Sequence, residues 1–486
     1  MKRACLIITT LLLCSVSALH AQTYLTFDPR VRYSRVVIDA NLYHFKANTK
    51  DAGFAKYDES GTLLAQSESS RGFDYVPGLV AKGVLEAVAL YQDSAWAKPW
   101  FYSIQAYGDK YAGEERTGGS LDDLNACKMY FGLADLTSTN AKFADATKYA
   151  SYLQAQKNAM SGLEQHNSLY AISSETSQAF CGTDEFAGGW WHKSNYPNQM
   201  WLDGQYMGPA LLAELLHRGY TFNNLSSSQA WDFVAQQFIM SWHKLWDADK
   251  QLLWHAFTAT PDTEQTQGWA DQDNNSNHYG VSQEYWGRAE GWYFLALVDV
   301  LERMPGSCVF RDTLRNYLNE IAIGLVNCQQ TEGVWCQLLA YDKGVVPSGC
   351  TTANYLEASA SAIFTAAFLK GIRLGLFDLD FSAVAKMAYQ GLIRNFLTTD
   401  CLLIPSCASA GLSSNRNGTA AYYLADVGEQ DTKKVTTYME GKPFGAFILA
   451  AVEYEKLYYE QEAKNYKPTD NNASVSSCKC LTVVMK

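Results

Sequence analysis

From Asp74 onward the chain repeats one pattern, apolar residues at three- and four-residue steps separated by polar breaks rich in Gly, Pro and Asp. Val76, Leu79, Val80, Val84, Ala87 and Leu90 form the first clear stripe, the spacing that lines up side chains on one face of a helix. Trp286 to Met304 repeats it with Tyr293, Ala296, Leu297, Val300, Leu301 and Met304; Asp299, Glu302 and Arg303 fall off the stripe, and Pro305-Gly306 ends it. Tyr355 to Leu374 does the same with Leu356, Ala360, Ile363, Phe364, Ala367 and Phe368. Long period-two segments are scarce, so the pattern predicts an all-α protein. A first helix is expected between Gln22 and Lys50, followed by a polar, loop-like stretch over residues 51–70.

At about 35 residues per helix and loop, the chain up to residue 465 has room for about twelve helices. Twelve suit six stacked hairpins closed into a ring. No exact repeat marks the hairpins, so the ring rests on helix count rather than self-similarity. No linker rich in Pro, Ser or Gly divides residues 22–465, which read as one domain. Residues 466–486 turn polar and end in Cys478-Lys479-Cys480 and a short apolar run, a C-terminal tail.

The N-terminus reads Met-Lys-Arg, then an apolar run from Ala4 to Val16, then small residues. This is the form of a secretory signal peptide over residues 1–21, with cleavage after Ala21 and Ala18 as the alternative. It predicts a mature protein that is secreted or periplasmic. Cys14 lacks the small residue expected before a lipid-modified cysteine, so no lipid anchor is expected. No other stretch reaches the length of a membrane span. The net charge of -11 argues against nucleic acid or anionic membranes as partners, so an anionic substrate would need local cations.

Ten of the twelve cysteines follow the signal. In an exported protein some would oxidise; Cys401 with Cys407, or the group Cys328, Cys336 and Cys350, are the local choices, and spacing does not fix the pairing. Neither Cys-x-x-Cys nor His-Glu-x-x-His occurs, so a metal site has no support in the sequence.

The chemistry concentrates in residues 188–208. Trp190, Trp191, Tyr196, Trp201 and Tyr206 surround His192, Lys193 and Asp203, among four glycines and a proline. Aromatic faces offer flat apolar platforms for sugar rings, and a few polar groups fix orientation. Among such rings Asp203 is expected to be partly desolvated and able to stay protonated as a general acid. Capping of the following helix would explain the same residue structurally.

Four further stretches share this character. Asp122-Asp123 precedes a helical run, where capping is the competing explanation. His255 sits between Trp254 and Phe257. Arg288, at a helix start marked by Trp286, is repelled by the helix dipole, which calls for an anionic partner or ligand. Tyr355 and Glu357 stand beside small residues. The polar stretch 271–280 reads as a loop, solvated or roofing a pocket.

Taken together these motifs resemble glycoside hydrolase family 105, the unsaturated rhamnogalacturonyl hydrolases, and more distantly the unsaturated glucuronyl hydrolases of family 88. The resemblance rests on Leu-Asp-Asp-Leu-Asn at 121, Trp-His-Lys at 191 with Tyr-Pro-Asn-Gln-Met-Trp-Leu-Asp-Gly-Gln-Tyr-Met-Gly at 196–208, and Trp-His-Ala at 254. It continues through Trp-Gly-Arg-Ala-Glu-Gly-Trp-Tyr at 286, Tyr-Leu-Glu-Ala-Ser-Ala-Ser-Ala at 355 and Lys-Pro-Phe-Gly-Ala-Phe-Ile-Leu-Ala at 442. It implies an (α/α)6 barrel with the site at one mouth. It also implies removal of a 4,5-unsaturated uronic acid from the non-reducing end of an oligosaccharide, by hydration of the enol ether and with no metal or organic cofactor.

Carried over, Asp203 resembles the proton donor and Asp122 the second acidic residue, ahead of Asp123. Lys193, His255, Trp286 and Arg288 match pocket-lining positions, with Lys193 or Arg288 as the cation for the uronate; His192 and Tyr355 match less closely. The sequence departs from the family at Ala126-Cys127, at Glu290 and at Ser413-Ser414. An extra carboxylate at Glu290 bears on which sugar is taken. The expected substrate is an unsaturated galacturonyl end of rhamnogalacturonan oligosaccharides. The alternatives are glucuronyl ends of glycosaminoglycan or other lyase products, saturated glycans, or glycan binding without catalysis.

Overall fold

The structure, a computed structural model, describes residues 23–92, 94–138, 142–424 and 435–466. The expected signal peptide, with Cys14, and the tail beyond Tyr466, with Cys478 and Cys480, lie outside the described residues.

The helices alternate between an outer and an inner ring. The first hairpin is α1 (Tyr33–Asn41) and α2 (Tyr75–Leu90). The second sets α3 (Ala97–Tyr111) against a bent inner helix built from α4 (Leu121–Asn125), a tight turn at Ala126–Lys128 and α5 (Met129–Thr137). The third runs from α6 (Ala146–Leu169) through the short α7 (Ser174–Cys181) to a second bent inner helix, α8 (Leu202–Met207) and α9 (Pro209–His217). Then come α10 (Ser227–Leu245) with α11 (Gly287–Arg303), and α12 (Arg311–Cys328) with α13 (Ala358–Leu374). The sixth joins α14 (Ser382–Asn395), through the short α15 (Ala420–Tyr423), to α16 (Gly441–Tyr454), and α17 (Glu460–Asn465) follows. Inside, α2 packs on α16, α16 on α13, α13 on α11, α11 on α8 and α9, α8 on α4, and α5 on α2, which closes the ring. This is the (α/α)6 barrel.

Local chemistry sets the elements. Asp74 caps α2 by accepting from Val76 N, and Val76, Val80, Val84 and Ala87 on its stripe are fully buried, each larger side chain contributing about 1.5–3 kcal/mol. Ser226 and Gln229 form a capping box at the start of α10. Pro209 separates α8 from α9 because it has no N–H to continue the ladder. Gly208 beside it is needed for space: a Cβ there would lie 3.0 Å from the Trp190 ring and 2.9 Å from Leu121. The polar stretch 51–70 holds parts of two small hairpins, Lys46–Ala47 with Lys50–Asp51 and Lys56–Tyr57 with Leu63–Ala65, rather than plain loop.

All six inner helices point the same way. Their N-terminal ends, at Asp74, Ser120, Leu202, Trp286, Glu357 and Glu440, carry or border the motifs singled out in the sequence. Their C-terminal ends meet at the other mouth around a cavity of about 530 Å³ lined by Lys82, Lys128, Glu214, Asp299, Lys370 and Glu453 among others. None of the candidate site residues lines it.

The local disulfide choices do not form. Cys328, Cys336 and Cys407 are free thiols, and Cys401 is disulfide-bonded to a residue other than Cys407.

Candidate active site at the N-terminal mouth

Two carboxylates are delivered by two bent inner helices. Asp122 lies in the first turn of α4, which Ser120 caps by accepting from Asp123 N; the aspartate pair is therefore not the cap. Asp203 lies in the first turn of α8, whose cap position is Trp201. A two-stranded ladder, Gln199–Trp201 against Ala256–Thr258, pairs Trp201 with Ala256, and Leu202 N donates to His255 O at 3.1 Å. That ladder fixes His255 over the start of α8.

Asp122 is compensated. Lys193 Nζ sits 2.5 Å from its Oδ2 and His192 Nε2 3.3 Å from its Oδ1. Burial alone would raise its pKa, but the Lys193 ammonium and His192 outweigh it and hold the carboxyl below its ordinary value. His192 is itself pushed down by burial, against the pull of Asp122. Its Nδ1 has no partner among the described residues, so in the neutral ring the proton sits on Nε2, which faces Asp122 Oδ1. Asp123 faces outward at the rim, and desolvation with the neighbouring Asp122 and Asp74 pushes it up to about 6.

Asp203 is held differently. Among the described residues its Oδ2 meets only an imidazole, His255 Nε2, at 3.2 Å, and its side chain is 13% exposed. His255 is fully buried, and its other nitrogen meets the Tyr423 hydroxyl at 2.6 Å.

The aromatics serve mainly to hold these groups. Trp201 lies nearly parallel to His192 at 5.0 Å and to Tyr196 at 4.9 Å, and those two rings are 6.3 Å apart; it meets His255 edge-on. Trp286 packs against His255 at 4.8 Å and stacks on Tyr423, while Gln337 accepts from its indole N–H. Trp190 packs with Phe222 and Phe233 in the core, and Tyr206 stacks on Trp292 under the site. Of the five aromatics in residues 188–208, Tyr196 and Trp201 belong to the Asp122–Asp203 cluster.

Arg288 does not reach an open pocket. It is 2% exposed, donates to Ser359 Oγ at 2.7 Å and to the Cys407 carbonyl, and pairs with Glu357 at 3.6 Å. The anion that its position at a helix start demands is Glu357, which also accepts from Ser359, Ala360 N, Ser406 and Cys407 N. The Tyr355 hydroxyl is enclosed beside this cluster and has no partner among the described residues. Of the two cations expected for a uronate, Arg288 is enclosed, whereas the Lys193 side chain is 28% exposed. Glu290 is likewise turned from the site: it is fully buried, accepts from Leu253 N, and burial pushes it up to about 8. It brings no negative charge to the mouth near neutral pH.

Two residues beyond those picked from the sequence complete the mouth. Arg71 pairs with Asp74 and lies close enough to lower Asp122. Tyr423 arrives on α15, a four-residue helix capped by Thr419. A four-residue element carries no periodicity to read, and neither residue sits in a recognisable motif. Among the described residues no three His, Cys, Asp or Glu side chains gather as metal ligands would.

A closed (α/α)6 barrel with two differently held aspartates and a partly exposed lysine at one mouth has the form of a class, the six-hairpin glycoside hydrolases. The particular family follows from comparison. The model of Glycosyl Hydrolase Family 88 matches residues 176–458, and the chain belongs to that family. Protein Atu3128 of Agrobacterium fabrum is 30% identical over 191 residues, 37% of this chain and 76% of that protein. The unsaturated 3S-rhamnoglycuronyl hydrolase of Formosa agariphila is 22% identical over 220 residues, 43% of this chain and 49% of that one. Among solved structures, a family 105 glycoside hydrolase of C. acetobutylicum superposes with a TM-score of 0.63 at 26% identity, covering 88% of this chain and all of that one. The unsaturated glucuronyl hydrolase of Bacillus sp. GL1 shares the fold, with a TM-score of 0.52 at 11% identity over 88% and 94% of the two chains. The protein is a glycoside hydrolase of the unsaturated uronyl hydrolase group.

Proposed function

We propose that the protein removes a 4,5-unsaturated galacturonyl residue from the non-reducing end of rhamnogalacturonan-derived oligosaccharides by hydrating its enol ether. The observation that carries this reading is the unequal treatment of two carboxyls at one mouth: Asp122 is ionised beside an ammonium, whereas Asp203 meets an imidazole and, among the described residues, no cation. Two acidic groups held so differently divide the roles of charge stabiliser and proton donor.

Asp203 gives its proton to C4, and positive charge develops over C5 and the ring oxygen, where ionised Asp122 stabilises it. Water adds to C5 and returns a proton to Asp203. The hemiketal opens to a ketone at C5 with a hemiacetal at C1, which collapses to an aldehyde and frees the neighbouring sugar. One water is consumed. Lys193 meets the uronate carboxylate, and the N-terminal ends of the inner helices favour the same negative charge. Trp286, His255 and His192 wall the pocket; Arg288 and Tyr355 support that wall from behind. The rhamnose in the name of the Formosa relative supports a rhamnose-linked uronyl end. The basic and then apolar N-terminus supports action outside the cytoplasm.

The test is a substrate panel followed through the ultraviolet absorbance of the conjugated double bond: an unsaturated galacturonyl–rhamnose disaccharide, its glucuronyl counterparts, and saturated versions. Fastest loss of absorbance on the first is expected. Loss only on a glucuronyl end would replace the sugar assignment, and sugar release from saturated substrate alone would overturn hydration.

A further inference from the structure

We infer that Tyr423 is a positioning residue: its hydroxyl fixes which nitrogen of His255 carries the proton and so which oxygen of Asp203 delivers its own. This rests on Asp203 being the acid, as proposed above.

His255 has little freedom. It is fully buried, flanked by the edge of Trp201 at 5.2 Å and the ring of Trp286 at 4.8 Å, and its carbonyl accepts from Leu202 N at 3.1 Å. Each ring nitrogen has one partner: Nδ1 meets Tyr423 Oη at 2.6 Å, and Nε2 meets Asp203 Oδ2 at 3.2 Å. The tautomer is therefore decided by Tyr423.

The Tyr423 side chain is enclosed, and its hydroxyl makes no other hydrogen bond among the described residues. A buried hydroxyl with a single partner must spend its proton on it, because a buried donor left unmatched costs more than an unused acceptor lone pair. Tyr423 consequently donates to Nδ1. Burial holds the phenol well above its ordinary pKa, so that proton is always present. Tyr423 is itself anchored: Gln337 Nε2 donates to its carbonyl at 3.1 Å, while the same amide's oxygen accepts from Trp286.

With Nδ1 occupied as an acceptor, neutral His255 carries its proton on Nε2 and donates it to Oδ2 of Asp203. The acidic proton of Asp203 then sits on Oδ1, the oxygen without a protein partner, and leaves from there to C4. After transfer the carboxylate still accepts from Nε2, so the imidazole need not gain or lose a proton. In the opposite tautomer a bare Nε2 would take the Asp203 proton into the Oδ2···Nε2 contact and away from substrate.

The test compares wild type with Tyr423→Phe, which removes one oxygen, and with Asp203→Asn. Imidazole 15N shifts of labelled protein are expected to show Nδ1 of His255 unprotonated and Nε2 protonated in wild type, and a mixture in Tyr423→Phe. The same variant is expected to lose roughly 10- to 100-fold in kcat with KM unchanged. A protonated Nδ1 in wild type, or unaltered shifts and kcat in Tyr423→Phe, overturns the inference, and the wild-type spectrum decides even if the variant folds poorly. If Asp203→Asn keeps full turnover, the underlying assignment of the acid fails; if it is inactive while Tyr423→Phe behaves as wild type, only the role of Tyr423 fails.

Discussion

The two mouths of this barrel use their ionisable groups in opposite ways. At the C-terminal mouth each carboxylate named in the lining is matched: Glu86 with Lys82, Asp299 and Glu302 with Lys370, Glu453 with Arg373, Glu214 with Arg218 and Arg303, and Asp135 with Arg218. Lys128 alone among those cations faces no carboxylate there; it lies over the Tyr206 ring and donates to the Tyr206 carbonyl at 2.6 Å. At the N-terminal mouth Asp122 and Asp74 are matched in the same manner, with Lys193 and Arg71, whereas Asp123 stands exposed at the rim and Asp203 is left to a histidine. A strongly displaced pKa is thus no mark of catalysis in this molecule. Burial works against Glu86, yet the charge of Lys82 brings it down to about 2, and the two are an i,i+4 pair on α2, away from the N-terminal mouth. What separates Asp203 from Asp122 is the lack of a cation: its partner is a histidine whose proton is already assigned.

The sharpest way to break this contrast is to remove the acid. Asp203→Asn should lower kcat by about 1000-fold, within the range for losing a general acid, with circular dichroism and melting temperature near those of wild type. The matching change at the other mouth, Lys370→Met, leaves Asp299 and Glu302 partly buried without their main partner. It should cost about 3 kcal/mol in denaturant unfolding and leave the kcat of the folded protein unchanged. Lys193→Met should reduce kcat/KM by about 10-fold, near 1.4 kcal/mol, because it removes the uronate's cation and lifts the restraint on Asp122.

The smallest effect is one of pH and sharpens the comparison inside the wall. Glu290 has a raised folded value of about 8, so its burial is harmless in acid; stability falls as pH climbs from the ordinary carboxyl range toward that value. Between pH 6 and 7 the loss should be about 1 kcal/mol, and Glu290→Gln should flatten it. Asp299 has the opposite sign. Burial acts against its charge, but Lys370 and Lys82 depress it, so its contribution is present at neutral pH and lost in acid. Unfolding midpoints across pH check both.

Much of the barrel was legible because periodicity and caps are local. The stripes of α2, α11 and α13 and the breaks after them follow from spacing alone, and the motifs stood out because they start inner helices, where caps and chemistry share a few residues. What escaped was set by distant partners. Arg288 asks for an anion, but nothing local says that Glu357, on another inner helix, supplies it. Position 290 shares a helix with Arg288, yet two residues of helical rotation turn it toward Leu253 and away from the mouth. The ladder of Gln199–Trp201 with Ala256–Thr258 is too short for a period-two signal, and Tyr423 is placed by tertiary packing of a single turn. The aromatic cluster was read as sugar platforms, and spacing along the chain could not say that Trp201 would be buried among His192, Tyr196 and His255.

The most direct test of the central claim follows double-bond absorbance and release of the neighbouring sugar together, on one unsaturated disaccharide, for wild type and Asp203→Asn. Wild type should lose absorbance and release sugar in equal amounts and at equal initial rates, and folded Asp203→Asn should do neither. Sugar release that outruns the loss of absorbance, or turnover by Asp203→Asn at the wild-type rate, would contradict hydration driven by this acid.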